Sequence, residues 1–196
     1  MPSQPMFPVN LPNTLTVLRI MLVPVLVVAL LGGTPAGDVL AAIVFALASL
    51  TDFIDGWLAR ARGSVTTFGK LMDPLADKLL VIAALISLVS LDRLPAWVAM
   101  VIIARELAVT VLRLGATQVG VVMAASSLGK VKTTLQIAAI LALIADSSKP
   151  LWVSLLVYLT VVVTVVSGLD YFFGLKRRIE QTGARSADKA APGSDA

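Results

Sequence analysis

Cysteine and histidine are absent from this 196-residue chain, and charged residues make up only 14% of it. An average soluble domain has roughly 25% charged residues. Without cysteine there is neither a disulfide framework nor a thiolate metal site. Without histidine, a bound metal would need oxygen ligands, which favours Mg²⁺, Ca²⁺ or Mn²⁺. A general base would have to be a carboxylate or, less readily, a lysine.

Basic residues interleaved with aromatic ones are also missing, and the formal net charge is only +4. A nucleic-acid partner is therefore not expected. Hydrophobic residues make up 58% of the chain, and the mean hydropathy is +0.92. They occur in long runs such as 79–91 and 151–166, and these runs recur along the chain. This pattern indicates a polytopic membrane protein whose partner is the lipid bilayer.

Six apolar segments each approach the ~20 residues that a bilayer-crossing helix needs. Backbone groups in lipid must be hydrogen-bonded internally, so we expect all six to be helices. The predicted fold class is therefore an all-α integral membrane protein with six transmembrane helices. The predicted spans are 14–31, 38–61, 69–90, 95–114, 129–146 and 151–175.

The predicted loops alternate in positive charge. Loop 32–37 has no cation, and loops 91–94 and 147–150 have one each. The other side carries most of the cations: Arg60, Arg62, Lys70, Lys130, Lys132, Lys176, Arg177 and Arg178. The positive-inside rule then predicts a multi-pass protein of the cell membrane with both termini cytoplasmic. We expect a catalytic domain over 1–175 and a tail over 176–196, basic at first and disordered from residue 180 because of its polar composition.

Four carboxylates flank the predicted turn between the second and third spans. Asp52 and Asp55 are three residues apart, and Asp73 and Asp77 are four apart, so each pair shares a helix face. The connecting segment 61–68 is short, so the two helices should be antiparallel neighbours. The four acids are therefore expected to converge on one pocket near the cytoplasmic surface of the membrane.

Four acids in one pocket repel one another strongly at low dielectric. They could share protons, or they could bind cations, and a pair of divalent ions about 3.5–4 Å apart is plausible for bridging carboxylates. The small residues Gly56, Ala59 and Gly69 would leave room for a substrate. The alternative is that each acid lies at a solvated helix end and pairs with a cation. The basic candidates for such pairing are Arg60, Arg62, Lys70 and Lys78.

The pattern Asp52-x2-Asp55-Gly56-x2-Ala59-Arg60-x8-Gly69-x3-Asp73-x3-Asp77 resembles the complete signature of the CDP-alcohol phosphatidyltransferases. The resemblance implies a six-helix membrane enzyme, usually a homodimer, that uses Mg²⁺ or Mn²⁺. Such an enzyme transfers a phosphatidyl group from CDP-diacylglycerol to an alcohol and releases CMP.

The same resemblance assigns roles to the residues of the signature. Asp52, Asp55 and Asp73 would bind the metal ions, and Asp77 would both approach the metals and act as the general base. The residues expected to contact CDP-diacylglycerol are Asp52, Asp55, Gly56, Ala59, Arg60, Thr66 and Gly69.

Three other segments bear on the acceptor alcohol. Arg105 and Glu106 lie in the middle of the fourth span, and since adjacent helical residues point about 100° apart they are not expected to form a simple face-to-face pair. Cations around a cytoplasmic pocket suit an acceptor that carries a phosphate, although each one alone could serve topology or snorkelling. The candidate phosphate-binding residues are Arg105, Arg113, Lys130 and Lys132, with Lys132 and Arg113 favoured. The first helix adds Asn13, Thr16 and Arg19 as possible pocket residues.

These segments resemble the bacterial branch of the family that makes phosphatidylglycerophosphate from sn-glycerol 3-phosphate. Sibling transferases remain as alternatives, namely a cardiolipin synthase that takes phosphatidylglycerol or a phosphatidylinositol-phosphate synthase. A transporter is the alternative from another class, because intramembrane acids often mark ion pathways. Against a transporter, the acids lie at one face instead of stepping through the bilayer. A membrane scaffold without activity is a third alternative.

Overall fold

Six helices make up the regular structure of the described residues. A computed structural model describes the backbone of residues 11–62, 67–118 and 127–190, and the side chains of residues 16–51, 76, 78–117 and 128–178. This confirms the all-α prediction for the described chain. The helices are α1 (Leu11–Leu31), α2 (Pro35–Arg62), α3 (Thr67–Ser90), α4 (Ala96–Gln118), α5 (Ser127–Ala145) and α6 (Leu151–Ala190).

The predicted boundaries agree with the observed ones to within four residues, except at the end of α6. This helix continues to Ala190, through a segment for which composition predicted disorder. Residues 176–190 include several Ala, Arg and Lys residues, which are good helix formers. Extending an existing helix also needs no new nucleus, which is the costly step in helix formation. The division into a catalytic domain and a tail stays a prediction.

One apolar core receives side chains from all six helices. In the packing, α1 lies against α3 and α2, while α6 lies against α5 and α4, and α2 also contacts α5. Phe45 of α2, Leu80 of α3 and Ile140 of α5 are among the fully buried side chains. The core is therefore shared between the two halves of the chain and holds α3, α4 and α5 in fixed relative positions.

The buried face of α6 changes from apolar to polar along its length. Its first part buries Val153 and Val157, and the next turns bury a set that we call the α6 hydroxyl row. The spacings in this row are four, three and four residues, so its members share one helix face. The α6 hydroxyl row consists of Thr160, Thr164, Ser167 and Tyr171.

The turn between α1 and α2 brings two backbones into close contact. The N–H of Gly37 donates to the hydroxyl of Thr34 at 3.1 Å, which caps the start of α2. A Cβ atom at Gly37 would lie 2.4 Å from the carbonyl oxygen of Ala29, so only glycine fits this position. Gly33 has a φ of +62°, which is the left-handed conformation typical of a residue just after a helix.

A partly buried ion pair joins three elements at the end of the bundle where α2 begins. Arg93, in the loop between α3 and α4, donates to the two carboxylate oxygens of Asp38 at 3.0 and 2.8 Å. It also donates to the carbonyl oxygen of Ile144 near the end of α5, at 3.2 Å. We call Arg93, Asp38 and this carbonyl the Arg93 clamp. Its one positive and one negative charge balance each other.

Large apolar side chains are exposed on all six helices. Val28, Val111 and Leu151 are each about two-thirds exposed or more. Two described segments, Leu128–Ala145 and Leu151–Arg178, are long and apolar enough to cross a membrane, and shorter apolar segments occur at Thr16–Leu31, Pro35–Thr51 and Lys78–Ser90. An apolar surface this extensive is unusual for a water-soluble monomer, and it indicates association with a membrane.

Candidate functional site

The acidic residues of the signature lie on α2 and α3 at matching distances from the facing ends of these helices. Asp52 and Asp55 precede the end of α2 at Arg62 by 10 and 7 residues. Asp73 and Asp77 follow the start of α3 at Thr67 by 6 and 10 residues. At a rise of about 1.5 Å per residue, the two pairs lie at similar depths, roughly 9–15 Å from these helix ends. The two helices are in contact, so the backbone permits the predicted convergence.

The side chains of this signature lie outside the described residues, and so do those of Asn13 and Thr66. Their predicted roles remain predictions. Among the side chains that the structure describes, no group of three His, Cys, Asp or Glu residues could bind a metal. The predicted ligands are not in that set. The residues concerned are Asn13, Asp52, Asp55, Gly56, Ala59, Arg60, Thr66, Gly69, Asp73 and Asp77.

Glu106, in the middle of α4, is the centre of an ion-pair network that joins three helices. Its Oε2 atom accepts from Nζ of Lys78 on α3 at 3.3 Å. Its Oε1 atom accepts from Nζ of Lys132 on α5, and from Nη1 of the adjacent Arg105 at 3.4 Å. We call Lys78, Arg105, Glu106 and Lys132 the Glu106 cluster. It connects the helix that carries Asp73 and Asp77 with α4 and α5.

The Glu106 cluster has more positive than negative charge. Its three cations and one carboxylate give a net formal charge of +2. The four side chains are between 5% and 17% exposed, so water screens these charges only weakly. Buried charges are normally paired, because their desolvation is costly. A surplus of this kind is therefore a suitable site for an anionic group.

Arg105 and Glu106 meet within this larger cluster and not as a simple face-to-face pair. They form an ion pair, although their Cα–Cβ directions differ by about 100°. Both side chains are long enough to bend toward the same space. Arg105 is further held by α6, where its Nη2 atom donates to the hydroxyl of Ser167 at 2.7 Å. A Cβ atom at Gly168 would lie 3.2 Å from Cγ of Arg105, so this glycine gives the arginine the room that it needs.

The structure brings together two of the four predicted phosphate-binding residues. Arg105 and Lys132 meet at Glu106. Arg113 lies two turns further along α4, with its guanidinium carbon 5.7 Å from the centre of the Tyr171 ring. Lys130 is exposed at the start of α5, half a turn from Lys132. Arg105 and Lys132 therefore form the centre of the candidate site, and the other two cations lie outside the ion-pair network.

The predicted pocket residues of α1 that the structure describes are buried. Thr16 and Arg19 are each only 3% exposed, although they lie in the first helix of the chain. These two residues are three apart and share the face of α1 that packs on its neighbours. A buried arginine on an otherwise apolar helix is costly in a membrane. This agrees with a role inside the bundle and not in anchoring at the lipid surface.

Comparison with known sequences decides the family. The sequence model of the CDP-alcohol phosphatidyltransferases matches residues 9–166, which include the whole acidic signature and both helices that carry it. This chain belongs to the CDP-alcohol phosphatidyltransferase family. The Glu106 cluster also lies within the matched region.

Several bacterial relatives are similar over most of their length. A Bacillus subtilis protein named CDP-diacylglycerol–glycerol-3-phosphate 3-phosphatidyltransferase is 46% identical, over 83% of this chain and 93% of the relative. A Rickettsia felis protein of the same name is 39% identical, over 86% of this chain and 96% of the relative. A Mycobacterium tuberculosis protein named probable phosphatidylglycerophosphate synthase is 45% identical, over 83% of this chain and 79% of the relative.

Sequence reasoning missed two contacts of this phosphatidyltransferase's charged cluster. The sequence suggests Lys78 only as a partner for the acids, and it assigns no role to Ser167. A signal existed for Ser167, because the α6 hydroxyl row places polar residues at helical spacing within an apolar run. No comparable signal existed for Lys78, whose partner Glu106 is 28 residues away on another helix.

A cavity of about 230 Å³ opens at the other end of this phosphatidyltransferase. It lies between the loop before α4 and the first turns of α6, and its lining includes Arg93, Lys149 and Tyr158. The acidic signature is at the opposite end of α2 and α3. Arg93 is already paired with Asp38, and this lining does not match a nucleotide and a metal pair, so we assign no part of the reaction to this cavity.

Proposed function

We propose that the chain transfers the phosphatidyl group of CDP-diacylglycerol to sn-glycerol 3-phosphate, giving phosphatidylglycerophosphate and CMP. Family membership supports the reaction type, and the names of three similar proteins support this acceptor. The observation that carries the choice of acceptor is the charge surplus of the Glu106 cluster. A phosphate monoester has a charge of about −1.5 to −2 at neutral pH, which matches a surplus of +2.

In the proposed reaction, a hydroxyl oxygen of glycerol 3-phosphate attacks the phosphatidyl phosphorus. The bond between this phosphorus and the oxygen of the CMP leaving group breaks, and the hydroxyl proton goes to the carboxylate of Asp77. The absence of histidine favours a carboxylate as the base. Asp77 is directly followed by Lys78, so the proposed base is next in sequence to a residue of the Glu106 cluster.

Mg²⁺ or Mn²⁺, with two ions per site, is the proposed cofactor. Asp52, Asp55, Asp73 and Asp77 would bind the ions, and the matching depths of these residues on α2 and α3 support this arrangement. Their hard oxygen donors suit either metal. When bound, the ions would neutralise the charge that develops on the pyrophosphate oxygens.

CDP-diacylglycerol would contact the α2 part of the signature and the chain up to Gly69 at the start of α3. Small residues there would let the nucleotide approach the backbone, and the guanidinium of Arg60 suits a phosphate. Family membership supports this assignment. The proposed residues are Asp52, Asp55, Gly56, Ala59, Arg60, Thr66 and Gly69.

The phosphate of the acceptor would bind to Arg105 and Lys132, which already share one partner. Arg113, near the end of α4, and Lys130, near the start of α5, would add longer-range electrostatic attraction. The buried residues Thr16 and Arg19, with Asn13 one turn earlier, are proposed as a further wall of the pocket.

The proposed enzyme is a homodimer of six-span subunits in the bacterial cell membrane. The exposed apolar residues on every helix and the family's membrane character support this placement. Lys176–Arg178 follow the apolar part of α6, on the side where α5 begins and where Lys130 and Lys132 lie. The positive-inside rule then assigns this side, both termini and the active site to the cytoplasm.

A panel of acceptors tests the proposed function. Purified protein in detergent with Mg²⁺ and labelled CDP-diacylglycerol receives glycerol 3-phosphate, phosphatidylglycerol, inositol phosphate or free glycerol. We expect CMP release and a phosphatidyl product with glycerol 3-phosphate, and little with the others. Rapid transfer to phosphatidylglycerol or inositol phosphate would instead identify one of the sibling enzymes. Absence of CMP release with every alcohol would favour a transporter or scaffold.

Lys132→Ala tests the acceptor site. The substitution removes a buried cation of the Glu106 cluster, so the KM for glycerol 3-phosphate should rise by about tenfold or more. The KM for CDP-diacylglycerol should change far less, because its proposed contacts lie on α2 and α3. Equal increases in the two KM values would contradict the assignment of Lys132.

A further inference from the structure

We propose that Glu106 is a positioning residue that assembles the binding site for the acceptor phosphate. Glu106 itself would not touch the phosphate. It would hold the ammonium groups of Lys78 and Lys132 and the guanidinium of Arg105 close enough together to bind one dianion. This inference rests on the proposed function, since it assumes an acceptor that carries a phosphate.

The geometry shows why one carboxylate can have this effect. The cations come from three different helices, α3, α4 and α5, and all three contact the two oxygens of the same side chain. Without a negative charge between them, three cations of low exposure would repel one another, and their flexible side chains would turn away toward water. Glu106 cancels one of the three charges and leaves a surplus for the ligand.

Arg105 is held from two sides, which a simple packing role would not require. Its Nη1 atom is 3.4 Å from Glu106, and its Nη2 atom is 2.7 Å from the hydroxyl of Ser167 on α6. Two contacts on separate nitrogens fix the plane of the guanidinium. The remaining Nε atom is buried and has no hydrogen-bond partner among the described residues. A buried donor in that state is suited to a phosphate oxygen.

Glu106→Gln is the principal test, because it keeps the shape of the side chain and removes its charge. With the full-length protein in detergent, the KM for glycerol 3-phosphate should rise by about tenfold, since the cations are no longer held together. The KM for CDP-diacylglycerol should stay within about twofold of wild type. Binding of glycerol 3-phosphate to the protein, measured by calorimetry without the lipid substrate, should weaken by the same factor as the KM.

Asp38→Asn is the matched control. It also converts the carboxylate of a partly buried ion pair into an amide, but in the Arg93 clamp at the other end of the bundle. It should lower the melting temperature and leave both KM values unchanged. The comparison separates a general loss of stability from a specific loss of phosphate binding.

Two further variants keep the test valid if Glu106→Gln does not fold. Ser167→Ala frees one side of Arg105, and it should raise the KM for glycerol 3-phosphate by about threefold without affecting that for CDP-diacylglycerol. Glu106→Asp retains the charge on a shorter side chain, and its KM should lie between those of wild type and Glu106→Gln. A wild-type KM in both variants would overturn the inference.

The inference and the proposed function fail in different ways. If the wild-type protein does not use glycerol 3-phosphate but transfers to an uncharged alcohol, both are overturned. If it uses glycerol 3-phosphate and Glu106→Gln leaves that KM unchanged, or raises both KM values equally, only the inference is overturned. A lower KM for glycerol 3-phosphate in Glu106→Gln would also overturn it, because the carboxylate would then compete with the phosphate.

Discussion

The Arg93 clamp and the Glu106 cluster are both partly buried ionic sites, and they differ in charge balance. In the clamp, one arginine meets one aspartate in a bidentate pair, and a backbone carbonyl takes a further N–H group. In the cluster, one carboxylate meets three cations. Glu106 lies ten residues, or about 15 Å, along α4 from its first residue, Ala96, and Arg93 lies in the loop before that residue. A balanced site is complete without a ligand, whereas a surplus of charge implies an anionic one.

The largest effect on the reaction is expected from Asp77→Asn, beside the unbalanced site. Loss of the proposed general base should lower the rate of CMP release by about a thousandfold. The melting temperature should change little, because the substitution removes one of four mutually repelling charges. Full activity in this variant would show that Asp77 is not the general base.

Arg93→Ala tests the balanced site and should affect stability instead of activity. It leaves Asp38 buried without a partner, which should lower the free energy of unfolding by about 3 kcal/mol. Both KM values should stay at wild-type levels. The measurement is thermal or denaturant-induced unfolding in detergent, with a steady-state assay at a temperature where the variant is folded.

The double variant Arg93→Ala with Asp38→Leu sharpens this test. Removing both charges should recover much of the lost stability, since no unpaired charge remains. If the double variant is no more stable than Arg93→Ala, the hydrogen bond to the Ile144 carbonyl contributes more than the ion pair. A changed KM for glycerol 3-phosphate in either variant would show that the Arg93 clamp also affects acceptor binding, which would contradict the proposed difference between the two sites.

The smallest effect is expected from Lys130→Ala. Lys130 is exposed, so water screens its attraction for an anion, and it lies outside the Glu106 cluster. The KM for glycerol 3-phosphate should rise by less than about threefold, and added salt should reduce this difference further. An effect as large as that of Lys132→Ala would mean that burial does not decide which cations bind the phosphate.

The sequence predicted the helix boundaries well because the ends of an apolar run can be read directly from the local sequence. The exception is the end of α6, where polar residues with good helix propensity continue a helix already formed. Hydropathy alone marks the end of the apolar run and gives no signal for the end of the helix.

The charged residues of the site were predicted individually, but their pairing was not. Arg105 and Lys132 are phosphate-binding candidates from the sequence, because cations near a cytoplasmic pocket suit a phosphate. Their common partner, Glu106, had no assigned role, because its contacts join residues 26 and 28 positions apart on different helices. Periodicity within one helix cannot show which residue of another helix lies opposite. The acidic signature was readable from the sequence because its spacing is local and fixed.

The contact between Arg105 and Ser167 has a consequence for how the protein is made. The groups around Glu106 come from α3, α4, α5 and α6, so the last of them leaves the ribosome about ninety residues after Lys78, the first. Until α6 has been inserted and docked, Arg105 lacks one of its two supports. A nascent chain stalled before that point would contain the complete aspartate signature, but its acceptor pocket would lack the contact between Arg105 and Ser167.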